Sequence, residues 1–302
     1  MSNEPLESTN QITNVSSVKH LSPFRYPGGK TWLVPQIKHW LQSTSATSKT
    51  FMEPFVGGGI VGLSVANQGW AKHVVMVEID DFIAAVWNTA LTGDVNWLMD
   101  RISKFKMTLE EVKAVLAKPP QSEAEQAFHT ILRNRACHGG KMTEQAGFLK
   151  EGENGKGISS RWYPETLNSR LSAIRSLAPR VTFVCGDGMA IIDNHKEDPN
   201  RVWFIDPPYT AAGKKAGSRL YRYNVIDHDR LFNQAAQIKG DVLMTYDKND
   251  EIESMARSRG LDVAPIGMRN THHKKMDELL IGKDLSWFRK MLTQQPSLPL
   301  SK

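Results

Sequence analysis

Apolar positions along this chain fall into two kinds of run, and their order suggests an architecture. TFMEPF (50–55) is a short apolar run closed by Gly57, Gly58 and Gly59. IVGLSVANQG then places Ile60, Leu63 and Ala66 at helical spacing, with Gly69 as a stop. HVVMVEI (73–79) is nearly continuous and β-branched, the pattern of a parallel strand buried on both faces. DDFIAAVWNTAL returns to helical spacing. Strand, glycine turn, helix, strand and terminal acid form the opening half of a nucleotide-binding α/β sheet.

The alternation stops between about residues 92 and 180, where helical patterns flank a glycine-rich centre, HGGKMTEQAGFLKEGENGKG. That stretch reads as an insertion. Strand signals resume with VTFVC (181–185), RVWFID (201–206) and DVLMTYD (241–247). Between the last two lies the helix DHDRLFNQAAQI, with Asp227 as N-cap. LDVAPIGM and DELLIGK, joined by the basic loop RNTHHKK, suggest a hairpin at one sheet edge. The expected fold is α/β: a doubly wound, mostly parallel, Rossmann-like sheet with a C-terminal antiparallel hairpin and an inserted, mainly helical region. The expected boundaries are a disordered tail over 1–20, a first half over 21–91, the insertion over 92–180, a second half over 181–287 and a tail over 288–302.

Composition narrows the class. The 302 residues are 40% hydrophobic and 23% charged, as in ordinary globular proteins. No run approaches the roughly 18–20 apolar residues of a membrane span, and the polar N-terminus lacks the apolar centre of a signal peptide. Cys137 and Cys185, the only cysteines, give neither a disulfide framework nor metal-ligand spacing and read as two small buried residues in a reducing cytoplasm. The net charge of +6 is unevenly spread. Residues 8–52 contain no acid but hold Lys19, Arg25, Lys30, Lys38 and Lys49. Further basic stretches contain Arg133, Arg135, His138 and Lys141; Lys214, Lys215, Arg219 and Arg222; and Arg269, His272, His273, Lys274 and Lys275. Four such stretches, interleaved with Tyr221 and Tyr223, suggest a polyanionic partner.

Two motifs carry candidate chemistry. The glycine loop allows the backbone to approach a ligand, and Glu78 ends the next strand where an acid commonly binds ribose hydroxyls. A dinucleotide enzyme would share that geometry, although EPFVGGG is not G-x-G-x-x-G. The second motif is FIDPPY (204–209), in which an Asp, two prolines and a Tyr follow directly on an apolar run. Prolines stop a strand, because each lacks an N–H and fixes φ.

In combination, FRYPGGKTWLVPQI, FMEPFVGGG and DPPY, in that order with an insertion between the second and third, resemble the Dam-type (alpha-class) S-adenosylmethionine-dependent DNA adenine-N6 methyltransferases. The resemblance runs from about residue 23 to 283; NRACHGG and KKMDELLIG resemble family segments more loosely. It implies a site-specific enzyme that moves the methyl of S-adenosylmethionine to the amino group of an adenine flipped out of duplex DNA, with a role such as restriction-modification. Asp206 and the Pro207 carbonyl would accept the two N–H bonds of the target amine, localising its lone pair, and Tyr209 would stack on the base.

By the same resemblance, Tyr26, Lys30, Glu53, Phe55, Gly57, Gly59, Glu78, Asp187 and Asp206 would bind the cofactor. Lys30 would take its carboxylate, Glu78 its ribose and Asp187 its adenine amine. Many relatives have Asp at the position of Glu78, so Asp80 is a rival for the ribose. The insertion would recognise the target through Arg133, Asn134, Arg135, Lys141, Arg161 and Trp162, helped by Lys214, Lys215, Arg219 and Lys274. The segment 211–223 is expected to order on DNA. A monomer without metal, acting in a bacterial cytoplasm or encoded by a phage, completes the expectation. N4-cytosine methylation is the nearest rival, ahead of an RNA substrate, a DNA-binding regulator that has lost activity and an NAD-dependent oxidoreductase.

Overall fold

The computed structural model describes residues 17–26, 28–140, 142, 146–150, 155–208, 223, 225–269 and 275–294. A 3-10 turn, Lys30–Leu33, leads into α1 (Val34–Ser43). β1 (Thr50–Glu53), α2 (Ile60–Gln68), β2 (His73–Glu78) and α3 (Asp81–Leu91) follow. The expected insertion contains α4 (Val95–Lys104), α5 (Leu109–Leu116), α6 (Glu123–Ala136) and α7 (Pro164–Leu177). After it come β3 (Val181–Cys185), α8 (Gly188–His195) and β4 (Arg201–Ile205). The chain closes with α9 (His228–Gln237), β5 (Asp241–Asp247), α10 (Asp250–Arg257), β6 (Asp262–Arg269), β7 (Lys275–Gly282) and α11 (Ser286–Gln294).

The seven strands form one sheet in the order β3-β2-β1-β4-β5-β7-β6. β1 to β5 are parallel, and β7 runs antiparallel to both β5 and β6, the hairpin expected from the sequence. Side chains alternate between faces, so adjacent residues of one strand enter separate cores. Phe51, Met76, Phe204, Leu243 and Leu280 pack into one core with α1, α2, α3 and α7. Met52, Trp203, Ile205, Met244 and Tyr246 pack into the other with residues of α8, α9 and α10. Near-continuous apolar strands are thus explained by burial on both faces.

Polar side chains set the helix starts. Asp80, Asp94, Thr108, Ser122, Asp187, Asp227 and Asn249 each accept a first-turn N–H. The insertion shares the main core: Leu98, Phe128, Ile131, Leu167 and Leu171 belong to the same buried cluster as α3. Both expected tails need revision. Val18 is already buried, and residues 286–294 are helical, with Phe288 buried against the α1 side; residues 1–16 and 295–302 lie outside the described residues. Cys137 is buried as expected, but Cys185 is exposed at the end of edge strand β3. Among the described residues no helix is long and apolar enough to cross a membrane.

Candidate active site

The chain builds β2 and β3 on one side of β1, then crosses to place β4 on the other. Loops leaving β1 and β4 therefore diverge, and a crevice opens beyond their carboxyl ends. A cavity of about 440 Å³ lies there, lined by Tyr26, Lys30, Glu53, Phe55, Gly57, Gly59, Glu78, Asp187, Asp206 and Pro207. Every residue expected to bind the cofactor reaches this one cavity. Asp80 lines it too. Tyr209 lies outside the described residues.

Strand periodicity explains the convergence of acids. Glu53 lies two residues after Phe51, Glu78 two after Met76 and Asp206 two after Phe204, so all three emerge from the same face of the sheet. Glu53 is buried and accepts the Gly62 N–H at 2.9 Å, in the first turn of α2. A Cβ at Gly62 would overlap that carboxylate oxygen and displace the Glu53 side chain. Burial holds the Glu53 carboxyl well above the usual range, against the opposing pull of the Gly62 N–H.

Glu78 accepts the Gly57 N–H at 2.9 Å through one oxygen and the Asp80 N–H at 3.0 Å through the other. Burial pushes its carboxyl up to about 7, while those N–H groups pull it down. Asp80 is engaged as well, accepting the Phe82 N–H as the cap of α3. Gly57 has a positive φ of 45°, and a Cβ there would come within 2.7 Å of the Tyr26 ring. The ring thus lies flush on the glycine loop. Asp187 is exposed at the rim and caps α8 through Met189 N–H at 2.9 Å.

Asp206 is held by side chains. The Thr245 hydroxyl donates to its Oδ1 at 2.7 Å, and the Lys30 ammonium approaches the same oxygen at 3.1 Å. Lys30 also donates to the Gly28 carbonyl at 3.1 Å and lies 3.7 Å from Glu278. The neighbouring carboxylates outweigh burial and raise its pKa, so Lys30 stays charged. Thr245 and Glu278 were not foreseen from the sequence. An acid inside the apolar run DELLIG was the available signal for Glu278; nothing distinguished Thr245.

The insertion residues separate. Arg133 and Arg161 are partly exposed. Asn134 is fully buried: it accepts the Arg25 N–H at 2.9 Å and donates to the Arg25 and Gly140 carbonyls at 3.0 and 2.9 Å. Arg135 is 5% exposed and donates to the Pro23 carbonyl. Trp162 packs edge-on against Phe105. This geometry runs against direct DNA contact by Asn134, Arg135 and Trp162, because burial and internal partners occupy them. Instead, Asn134 and Arg135 clamp the segment before Tyr26, joined by Arg170, which donates to the Ser22 carbonyl at 2.9 Å. Burial, with Arg170, Arg25 and Arg161 close by, lowers the Arg135 pKa to about 9. Lys141, Lys214, Lys215, Arg219 and Lys274, and the pair His272 and His273, lie outside the described residues.

A doubly wound sheet with an acid-lined crevice at its switch point defines the class as a Rossmann-like enzyme with a nucleoside-sized site. The family model for D12 class N6 adenine-specific DNA methyltransferases matches residues 26–266, and the chain belongs to that family. It is 25% identical over 230 residues to the type II methyltransferase M.MjaIII of Methanocaldococcus jannaschii, covering 70% of this chain and 77% of that protein. Among solved structures it matches a proposed RNA methyltransferase of Pyrococcus horikoshii at TM-score 0.39 and 10% identity, over 92% of this chain and 91% of that one. It also matches a precorrin-6y C5,15-methyltransferase of Geobacter metallireducens at TM-score 0.36 and 10% identity, over 86% and 91%.

The protein is therefore a DNA adenine-N6 methyltransferase whose methyl donor is S-adenosylmethionine. The cavity suits that donor. Its described lining includes Asp80, Asp187, Asp206 and Asp227, with Glu78 ionising near 7 and Glu53 kept protonated by burial, against the single cation Lys30. Such a surplus of negative charge favours a sulfonium and an α-ammonium group.

Proposed function

We propose that this enzyme methylates an adenine extruded from double-stranded DNA, with Asp206 and the Pro207 carbonyl accepting the two N–H bonds of the target amine. The observation that carries this reading is the position of Asp206 and Pro207 at the end of β4, on the cavity that Glu78 and the glycine loop also line. S-adenosylmethionine supplies an electrophilic methyl group on a sulfonium. The adenine amine is a weak nucleophile because its lone pair is delocalised into the ring. Two acceptors in a fixed array draw that pair onto nitrogen, and Asp206 takes the proton the methylated nitrogen sheds. The prolines fix the backbone that presents carboxylate and carbonyl together.

Glu78, which ends β2, is assigned the ribose hydroxyls, because both its oxygens are already aimed by backbone donors. Asp187 at the rim is assigned the adenine amine. Arg133 and Arg161, joined by the exposed Arg25, form the basic side that meets DNA phosphates, and by family resemblance Tyr209 stacks on the extruded base. The enzyme acts as a monomer in the cytoplasm, as a restriction-modification or stand-alone methylase. The test is incubation with methyl-labelled donor and duplex DNA carrying 2-aminopurine at the mapped target. N6-methyladenine in the unsubstituted control together with a rise in 2-aminopurine fluorescence on binding is expected. Methylation without that rise would overturn extrusion of the base.

A further inference from the structure

We propose that Glu278 is a positioning residue for methyl transfer: through Lys30 it fixes and tunes the Asp206 carboxylate. The inference rests on the reading of Asp206 as acceptor of the target amine.

Glu278 stands directly opposite Asp247 in the β5–β7 ladder, and Thr245 lies two residues from Asp247 on the same strand. Directly opposed residues, and residues two apart, share a face. Thr245, Asp247 and Glu278 therefore point to one side of the sheet, the side from which Asp206 and Lys30 approach. Thr245 and Lys30 both contact Oδ1 of Asp206. The Asp206 side chain so held is 21% exposed at the cavity.

Glu278 is an expensive residue if its role is only to support the fold. It sits in the strand Lys275–Gly282, where Leu279, Leu280 and Ile281 follow it into the cores. Its side chain is 6% exposed, and among the described residues its Oε2 has no hydrogen-bond partner, only the ion pair with Lys30 at 3.7 Å. A buried carboxylate so placed is less favourable than a packed apolar side chain. Its electrostatic effect on Lys30 accounts for its presence. With Glu278 ionised, the ammonium charge is shared between two carboxylates and draws less on the oxygens that accept from the amine. With Glu278 neutral, Lys30 pairs more strongly with Asp206 and weakens it as an acceptor.

The groups that surround Glu278 are Asp206 from β4, Asp247 from β5 and Lys30 from the 3-10 turn, while Tyr246 lies on the opposite face of β5. Burial, reinforced by Asp206 and Asp247 and opposed by Lys30, pushes its carboxyl up to about 7. Glu278 therefore ionises as pH rises through neutrality, and transfer is expected to accelerate over that range.

The test is single-turnover methyl transfer at saturating S-adenosylmethionine and duplex DNA, from about pH 5.5 to 8.5, alongside donor affinity by titration calorimetry. Glu278→Gln is expected to slow transfer by about tenfold or more at the alkaline end. Donor affinity stays within about threefold, and the rise in rate through neutrality disappears. Lys30→Met combined with Glu278→Gln is expected to be no slower than Lys30→Met alone, since both act through one carboxylate. A Glu278→Gln enzyme with the wild-type rate and profile, or a strictly additive double variant, overturns the proposal. Should Glu278→Gln fail to bind the donor, Glu278→Asp is read instead: slowed transfer with the donor bound supports the proposal, and an unchanged rate and profile overturns it. Asp206→Asn separates the two levels. If it transfers at the wild-type rate, the amine-acceptor reading falls and this inference with it. An inactive Asp206→Asn beside a normal Glu278→Gln removes only the inference.

Discussion

The two halves of the site hold their acids by different means. On the β1–β2 side, Glu53 and Glu78 are fixed by backbone N–H groups of Gly62, Gly57 and Asp80. On the β4–β5–β7 side, Asp206 is fixed by the side chains of Thr245 and Lys30, the latter backed by Glu278. Backbone donors exist wherever the turn exists, so that half depends on loop geometry and close glycine packing. Side-chain partners can be altered singly while the fold stays intact. Under the proposed function, the difference suits a rigid seat for the donor and a tunable acceptor for the chemistry itself.

Asp206→Ala is the largest perturbation of the catalytic half. Methyl transfer should fall by about 10³-fold, the scale for losing a principal charge-stabilising group, with donor affinity little changed. A rate near wild type in a quenched single-turnover assay would break the comparison. On the opposite side, Asn134→Ala removes two hydrogen bonds to Arg25, next to Tyr26, and a third to the Gly140 carbonyl. We expect a loss of about 2–3 kcal/mol in urea denaturation, with weaker donor binding because the ring over the glycine loop loses its anchor.

The Glu78 seat should show in the pH dependence of donor binding. Ribose hydroxyls donate to an ionised carboxylate, and Glu78 ionises at about 7. Affinity should therefore rise by about tenfold between roughly pH 6 and 8. Glu78→Gln should flatten that trend; calorimetry that finds the same slope in the variant would reassign the ribose to Asp80. Folding of the ligand-free protein runs the other way. A carboxyl raised by burial contributes its full stability below the ordinary carboxylate range, and that contribution is lost as pH climbs toward 7. The smallest effect concerns the insertion: Arg161→Ala should weaken binding to all duplexes alike and lower the salt dependence of affinity by about one ion.

Much of this was legible in the chain. Seven strand signals, the helical stretch between them and the helix start at Asp227 could be read from periodicity and one capping residue, because burial on two faces and N-cap chemistry are local demands. The residues that line the cavity were legible because a glycine loop and strand-end acids at fixed spacing leave a recognisable pattern. The insertion was harder. Asn134 and Arg135 looked like candidates for contact with DNA because polar and basic residues usually face outward, yet both turn inward to hold residues 23–25. Nothing local distinguishes an arginine that reaches solvent from one whose guanidinium meets a carbonyl more than a hundred positions away.

The sequence by itself determined the order of elements, the membership of the family and the acids at the strand ends, since each is written in neighbouring residues. Only the tertiary structure decided which groups control those acids. Lys30, Thr245 and Glu278 come from a 3-10 turn and two strands far apart in the chain and meet at Asp206 because β5 lies between β4 and the antiparallel β7. Register is a property of the assembled sheet, and shifting it by one residue would turn Glu278 to the opposite face and remove it from Lys30.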